Sequence, residues 1–467
     1  MTTTLSTSHI VGRSHGFHDG AIGVINKDLN VISFARQTER QTGIKHDNSP
    51  YNGDNFPFGS IFETAFYEKP RYRQLRQFIS GETVRPKEMG FNHYIMHHWA
   101  HAAASYYTRP DWDKEPVCVV IDAIGEFDTA SIWYKKERVW NESYPSSLGL
   151  FYSAITKELG LIPNRNEHLT MAMAGMRDGY DDDLLTRFQE LRFENFHKGF
   201  PENVLNDYRD DPYLIASTAQ HFLETEIHII MKKARSFSKY LCYGGGVALN
   251  CVANDKIRLM FDDMWIFPNP GDAGAALGAA LDIHDKRVPF EHNFLGENFQ
   301  KDDIPNPRTI AKHILHNGIA GICNGRDEFG PRALGNRSLV ADPRGDVAKR
   351  IYEIKDRPKY SPLAPAILEE YFHDYFRGKK DRYMSYVCKT GSNMDHMPYA
   401  KHADGTARVQ VVPPGSPSIL RNVLEEWYNL TNCPILINTS LNQKGKPVFS
   451  DQVSVNVFER ANDVSIF

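Results

Sequence analysis

The chain of 467 residues is too long for one ordinary hydrophobic core, so two or three domains are expected. Its composition, 41% hydrophobic, 24% charged and 12% aromatic, is that of a globular protein. The formal net charge of −4 excludes bulk attraction to nucleic acid and leaves only a local basic patch for such contact. No apolar run approaches the roughly 18 residues a membrane span needs, and the N-terminal MTTTLSTSH lacks the basic and apolar regions of a signal peptide. Cys118, Cys242, Cys251, Cys323, Cys388 and Cys433 are scattered without a CxxC pair. Scattered cysteines read as reduced, buried thiols, so a cytoplasmic protein without membrane contact is expected. No short repeat or low-complexity segment is apparent.

In chain order, HIVGRSHGFHDGAIGVI, the turn NKDLN and VISFAR read as strand, turn and strand. Gly12, Gly16 and Gly20 crowd the first loop, which predicts close approach of a ligand to the backbone. PVCVVIDAI, ending at Gly125 and Glu126, is nearly continuously apolar, as a strand buried on both faces would be. KYLCYGGGVALN reads as a strand running through Gly244, Gly245 and Gly246 into a helix from about Val247 and Asn250, a geometry that presents N–H groups to phosphate. PNPGDAGAALGAALDI opens another helix, rich in small residues. Several strand–glycine-turn units on one site predict an α/β fold with a two-lobed, actin-like (ASKHA) domain over 1–284. The polar stretch 285–307 reads as a linker and 308–467 as a second α/β domain.

His97 and His101 in MHHWAHAAASYY lie four residues apart, one turn apart on one helical face, as a metal chelate requires; Asp272 offers a third ligand. Two imidazoles and a carboxylate suit iron(II) or zinc; the alternative is a helix with one functional and one packed histidine. His18, beside Asp19 in the first loop, is suited to take a proton from a hydroxyl, or is simply solvated. Glu39, Lys45 and His46 form a charged cluster after the second strand. In the C-terminal part, ICNGRDEFGPRALGNRSL carries Arg326, Arg332 and Arg337 among glycines. IYEIKDRPKYSPLAP adds Lys355, Arg357 and Lys359, DGTARVQ adds Arg408, and LINTSLNQKGKP adds Asn438, Ser440, Asn442 and Lys446. Guanidinium groups on glycine-permitted turns are what a phosphate- or carboxylate-rich ligand needs.

Taken in order, GFHDGAIGV, ERQTGIKHD, HHWAHAAASYY, SLGLFYSAIT, EHLTMAMAG, GGGVALNCVAN, GDAGAALGAAL, GRDEFGPRALGNRSL, DGTARVQ and NTSLN resemble the O-carbamoyltransferase family, whose members carbamoylate tobramycin, cephalosporins and nodulation factors. The resemblance implies an ASKHA domain followed by a YrdC-like domain. It implies that the second domain makes carbamoyl-adenylate from carbamoyl phosphate and ATP with Mg2+, and that the first passes the carbamoyl group to an acceptor hydroxyl. It further implies His97, His101 and Asp272 as ligands of a divalent metal, iron(II) first, His18 as the base, and Lys45 and Arg332 as catalytic partners. Gly125, Gly244 to Gly246 and Asn250 would hold the nucleotide. Arg326, Arg332, Arg337, Lys355, Arg357, Arg408, Asn438, Ser440 and Asn442 would hold carbamoyl phosphate and ATP. The chain is shorter than the antibiotic-modifying members, and FHDGA replaces FHDPA or FHDSA.

The acceptor is read from EKPRYRQLRQFISGETVRPKE, where Lys69, Arg71, Arg73, Arg76, Arg85 and Lys87 alternate with Tyr72 and Phe78. Charge interleaved with stacking surfaces is a nucleic-acid footprint. A compact carbamoyltransferase with such a stretch resembles the family's viral members that modify hydroxymethylated pyrimidines in DNA; the resemblance implies 5-hydroxymethylcytosine in DNA as acceptor, contacted by Arg71, Tyr72, Arg73 and Arg76, with the enzyme in the host cytoplasm if viral. The alternatives are a sugar hydroxyl on a secondary metabolite or glycolipid and, in other classes, an ASKHA-type sugar kinase or a metal-dependent hydrolase. A homo-oligomer is the default expectation.

Overall fold

The computed structural model describes residues 8–53, 61–81, 83–84, 90–299 and 306–467, without the side chains of residues 61 and 62. It divides into two compact units. The first comprises the chain up to Thr38, His46–Ala174 and Gly179–Glu291. It is built from one small fold used twice. In the first half, β1 (His9–Ser14), β2 (Ala21–Asn26) and β3 (Val31–Gln37) form an antiparallel meander. After the short helix α1 (Glu39–Thr42), which belongs to the second unit, there follow β4 (Ile61–Phe66), α2 (Pro70–Ser80), β5 (His93–Tyr94) and α3 (His97–Thr108). The sheet order is β3-β2-β1-β4-β5, with β4 parallel to both neighbours.

The second half repeats the plan with β6 (Val117–Gly125), β7 (Asp128–Tyr134) and β8 (Glu137–Ser143). Four helices, α4 (Leu148–Glu158), α5 (Glu167–Ala174), α6 (Asp182–Glu190) and α7 (Pro212–Arg235), are inserted before β9 (Tyr240–Gly244), α8 (Cys251–Arg258), β10 (Asp263–Ile266) and α9 (Asp272–His284). The order β8-β7-β6-β9-β10 is that of the first sheet, with β9 parallel to β6 and β10. Two such halves make the actin-like arrangement.

Local sequence accounts for these elements. All of β6 is buried but for one partly exposed residue, Ala123, as a run that is apolar except at Asp122 requires. The 24-residue α7 starts with Asp211 accepting the Leu214 N–H and Pro212 in the first turn, where its missing donor costs nothing. The DAGAALGAALDIH sequence of α9 is buried on almost every side, between α3 and the first sheet. Its small residues allow backbone-to-backbone contact: a Cβ on Gly278 would overlap the Ala100 carbonyl oxygen of α3.

The second unit comprises Glu39–Lys45, Gly175–Asp178 and His292–Phe467. The polar stretch 285–307 therefore contains a strand, β11 (Phe294–Phe299), because Phe294 and Leu295 supply buried positions for pairing. After α10 (Pro307–Asn317) come β12 (Ile319–Cys323), β13 (Gly325–Glu328), β14 (Arg337–Ala341), α11 (Lys349–Lys355), β15 (Ala364–Leu368) and α12 (Phe372–Tyr375). Then follow β16 (Phe376–Arg377), β17 (Cys388–Thr390), β18 (Thr406–Ala407), β19 (Gln410–Val412), α13 (Leu420–Thr431), β20 (Ile435–Ser440) and α14 (Gln452–Asn462). The main sheet runs β12-β14-β20-β15-β19, and its core is centred on Trp427, Phe372, Phe376 and Phe458. All six cysteines are buried and unbridged, and no helix among the described residues is long and apolar enough to cross a membrane.

The α3–α9 contact predicts a specific sensitivity. Gly278→Ala must push two helix backbones apart, so a loss of about 2 kcal/mol is expected in urea denaturation. Gly271→Ala, where a Cβ meets nothing within 4 Å, leaves the midpoint unchanged. Equal midpoints for the two variants would show that the helices are not in the described contact.

Candidate active site

His97 opens α3, His101 lies one turn on, Asp272 opens α9 and Asp122 sits in β6. All four are buried and their ligand atoms lie within 4.8 Å of one another. Asp122 Oδ2 is 3.2 Å from His97 Nε2 and 3.1 Å from His101 Nε2; Asp272 Oδ1 is 3.5 and 3.3 Å from the same atoms. The two Nε2 atoms are 3.0 Å apart. His101 Nδ1 faces the Pro270 carbonyl at 2.9 Å, which fixes its proton there and turns the Nε2 lone pair inward. Asp122 Oδ1 accepts from the N–H groups of Ala123 (2.9 Å) and Gly246 (3.1 Å), so Oδ2 is the oxygen left for a ligand. Asp272 Oδ2 is buried without a hydrogen-bond partner among the described residues. Gly125 makes room for the His97 ring, which a Cβ there would overlap.

Burial alone would strip the proton from His101, yet the Asp122 and Asp272 carboxylates push its pKa up to about 10; His97 is shifted the same way, with burial opposed chiefly by Asp122. Asp122 is held well below the usual carboxylate range, against burial, by the two imidazoles. Two inward lone pairs and two carboxylates converging away from water fit a divalent cation, which would take the place of those protons. Asp122 was missed from the sequence, although an acid inside an otherwise apolar strand is itself a signal.

A second group lies in the loop between β1 and β2. Asp19 accepts from His18 Nδ1 through Oδ2 and from His46 Nδ1 through Oδ1, each at 3.0 Å. His18 Nε2 lies 3.0 Å from the Asn164 carbonyl. Burial lowers the His18 pKa, but its hydrogen bond and ion pair with Asp19 raise it to about 10. Asp19 is correspondingly held well below its ordinary value, against burial, by His18 and His46.

The second unit gathers cations. Lys355 Nζ is buried and donates to the Ser440 carbonyl (2.8 Å), to the Asn442 carbonyl (2.8 Å) and to Asn442 Oδ1. Burial, then Arg357 and Lys45, push its pKa well down. Arg357 is lowered to about 10 by burial and by Arg408. His402 falls to about 4, through burial and, among the charges, Arg408 and Arg357 against Asp404. Among the described residues, the side chains of Lys45 and Arg408 have no hydrogen bond or ion pair. Lys45, Lys355, Arg357 and Arg408 thus form a field of positive charge without a matching acid, which is what anionic ligands complete.

Other expected residues have different work. Arg337 is buried and donates to the carbonyls of Asn324, Asn336 and Gly325; Arg326 donates to those of Gly296 and Leu295. Asn438 holds the Ala333 carbonyl and Gln410. With Glu328 Oε1, which accepts from the N–H groups of Leu334, Asn336 and Arg337, they fix the loop that carries half-buried Arg332. Gly245 N–H donates to Pro270, and Asn250 caps α8 and pairs with Gln220, so this glycine turn also supports the metal ligands. Ser440 Oγ donates to Asn442 Oδ1.

The basic stripe expected over 68–88 is divided by α2. Arg73 is buried on Glu68, and Arg76 is buried with its guanidinium 6.0 Å from the Tyr144 ring. Arg71 is exposed beside Tyr72, Leu75, Phe78 and Ile79, an outward face that is mostly apolar. Arg85 and Lys87 lie outside the described residues.

The four-ligand centre can be tested directly. Asp122→Asn should weaken binding of a divalent ion more than about a hundredfold, beyond the usual cost of losing an outer-shell partner. His98→Gln, which removes an imidazole turned toward Ser131 Oγ, should not change metal content by elemental analysis.

The chain matches the family models described as "Carbamoyltransferase N-terminus" over residues 60–281 and "Carbamoyltransferase C-terminus" over residues 311–465. It is 35% identical to "Nodulation protein U" of Azorhizobium caulinodans over 78% of this chain and 75% of that one. To "Nodulation protein NolO" of Bradyrhizobium diazoefficiens it is 29% identical, over 75% and 73% respectively. A solved structure described as full-length HypF in the phosphate- and nucleotide-bound form aligns at 12% identity and TM-score 0.31, over 60% of this chain and 55% of that one. Both halves of the family's sequence are present in order, and the chain belongs to the carbamoyltransferase family, as an enzyme of that class.

Proposed function

We propose that the protein is an ATP-dependent O-carbamoyltransferase working through carbamoyl-adenylate. The observation that carries this reading is the field of Lys45, Lys355, Arg357 and Arg408, in which Lys355 and Arg357 are pushed down by burial and by neighbouring cations. Carbamoyl phosphate and ATP are both polyanions and would supply the missing charge. There, carbamoyl phosphate gives up its phosphate to water, and the resulting carbamate attacks the α-phosphorus of ATP and expels pyrophosphate. Arg332 and Arg408 hold departing phosphate oxygens, and Lys355, fixed by three oxygens, is a rigid point charge at the same site.

Carbamoyl transfer then belongs to the first unit. The Gly125 and Gly244–Gly246 turns border the four-ligand centre, which supports their holding the nucleotide phosphate beside it. An iron(II) ion, which suits two imidazoles and two carboxylates, would act there as a Lewis acid on the adenylate. His18, oriented by Asp19, takes the acceptor's proton. The buried, reduced cysteines suit a cytoplasmic protein.

For the acceptor, a sugar hydroxyl has more support than DNA. The resemblance to enzymes acting on tobramycin and nodulation factors supports it. Among the described residues, the nucleic-acid reading keeps Arg71, Tyr72 and Phe78 on the exposed face of α2, because Arg73 and Arg76 are turned inward. Mass spectrometry with ATP, carbamoyl phosphate and either an amino sugar or hydroxymethylcytosine DNA separates them by which gains one carbamoyl group.

The two half-reactions respond to different residues. Arg408→Ala should lower pyrophosphate release by about a hundredfold or more. His18→Asn should leave pyrophosphate release unchanged and stop carbamoyl transfer. Transfer at the unsubstituted rate in His18→Asn would remove the base assignment.

A further inference from the structure

His18 is the proposed base, yet both of its nitrogens already face acceptors, the Asp19 carboxylate and the Asn164 carbonyl. Neither oxygen can donate, so the ring carries a proton on each nitrogen and cannot accept another. The side chain is nonetheless 32% exposed, open to solvent at its edge. The obstruction comes from a short turn between α4 and α5.

That turn is braced from behind. Asn164 adopts φ 59°, a left-handed conformation that asparagine tolerates. Its N–H donates to Glu167 Oε1 at 2.5 Å. Ser153 Oγ, from α4, lies 2.7 Å from the same Glu167 oxygen and 3.2 Å from Asn164 Oδ1. Ile162, Asn164 and Arg165 are exposed, so the turn has room to move outward.

We propose that the Asn164 carbonyl occupies the place of the acceptor hydroxyl, and that the Leu161–Asn166 turn is a gate which an incoming alcohol displaces to release His18. This rests on the reading of His18 as the base of carbamoyl transfer and adds what switches that base on. Once the carbonyl leaves, the Nε2 proton passes to solvent. The acceptor O–H then gives its proton to Nε2, its oxygen bonds to the carbamoyl carbon, and the bond from that carbon to the AMP phosphate oxygen breaks with its electron pair on AMP. The Nε2 proton returns to solvent. The other charged groups acting on the ring are His46, its centroid 4.9 Å away and sharing Asp19, and Asp272 from α9.

Such a gate has a chemical purpose. Carbamoyl-adenylate is destroyed by water as readily as it is used by an alcohol. A base kept protonated until an acceptor arrives leaves water unactivated. Glu167 and Ser153 are therefore positioning residues for the choice between transfer and hydrolysis.

The test follows a single turnover of the full chain with ATP, Mg2+ and carbamoyl phosphate, with water as the only acceptor. Glu167→Ala should form adenylate normally and convert it to AMP about fivefold faster. The acid limb of that decay should shift to lower pH, and Glu167→Gln, which still accepts through Oε1, should restore the slow rate. Ser153→Ala should accelerate decay in the same direction. Decay at the unsubstituted rate in Glu167→Ala and Ser153→Ala overturns the gate. Absence of pyrophosphate release from the unsubstituted chain overturns the carbamoyl-adenylate reading and the gate with it. A second measurement needs no turnover: nitrogen NMR of the unsubstituted protein at about pH 8, above the ordinary histidine value, should show His18 protonated on both nitrogens. A neutral His18 ring under those conditions would equally overturn the gate.

Discussion

The approach of α9 to α3, carbonyl against glycine, is the constraint on which the first unit depends. Helices separated by ordinary side chains sit about 8–10 Å apart. At Gly278 there is no room even for a Cβ beside the Ala100 carbonyl oxygen, and glycines and alanines recur along α9. Both helices begin at the same end of the contact, and each begins with a ligand. The small residues of α9 are therefore part of the metal centre's geometry, although none of them touches it. Had α9 carried the leucines and valines of an ordinary core helix, Asp272 would stand too far from His97 and His101 to share an ion.

The two units use opposite electrostatic logic. The first buries carboxylates against imidazoles, where the charges are of one kind or the other according to who holds the protons. The second buries ammonium and guanidinium groups with little to oppose them. The second arrangement is the costlier, because a desolvated charge without a partner is among the most unfavourable things a fold can contain. A ligand of the opposite sign would relieve it. The depressed His402 is an uncharged witness to the second field: its proton is expelled first by burial, with Arg408 and Arg357 acting against Asp404.

Much of this was legible in the sequence, for physical reasons. A nearly continuous apolar run names a central strand whatever its partners are, and β6 behaved so. The i, i+4 histidines name a helical face, and α3 presents them as expected. The failures share a different cause, which is phase or distance along the chain. Counting basic residues in α2 ignored their helical positions: 73, 76 and 77 fall on one face and 72, 75 and 79 on the other. The first face is buried because Glu68 and Tyr144 receive its arginines, and Tyr144 lies far along the chain. Likewise Arg326 and Arg337 look like ligand-binding arginines until the carbonyls they serve are known. The doubling of the first unit left only a faint trace, the G-x-x-D-x-A spacing of Gly16, Asp19 and Ala21 repeated in Gly125, Asp128 and Ala130. Backbone topology preserves such a repeat long after side chains diverge.

The doubled architecture divides the four clustered side chains evenly. His97 and His101 belong to the first half, and Asp122 and Asp272 to the second. An ion held by all four is a rivet through the seam between two copies of one fold. Binding of such an ion would favour whichever arrangement of the halves keeps all four side chains together, since a ligand shifts an equilibrium by its differential affinity for the two states. Neither half alone holds all four side chains, so the cluster exists only where the two halves meet.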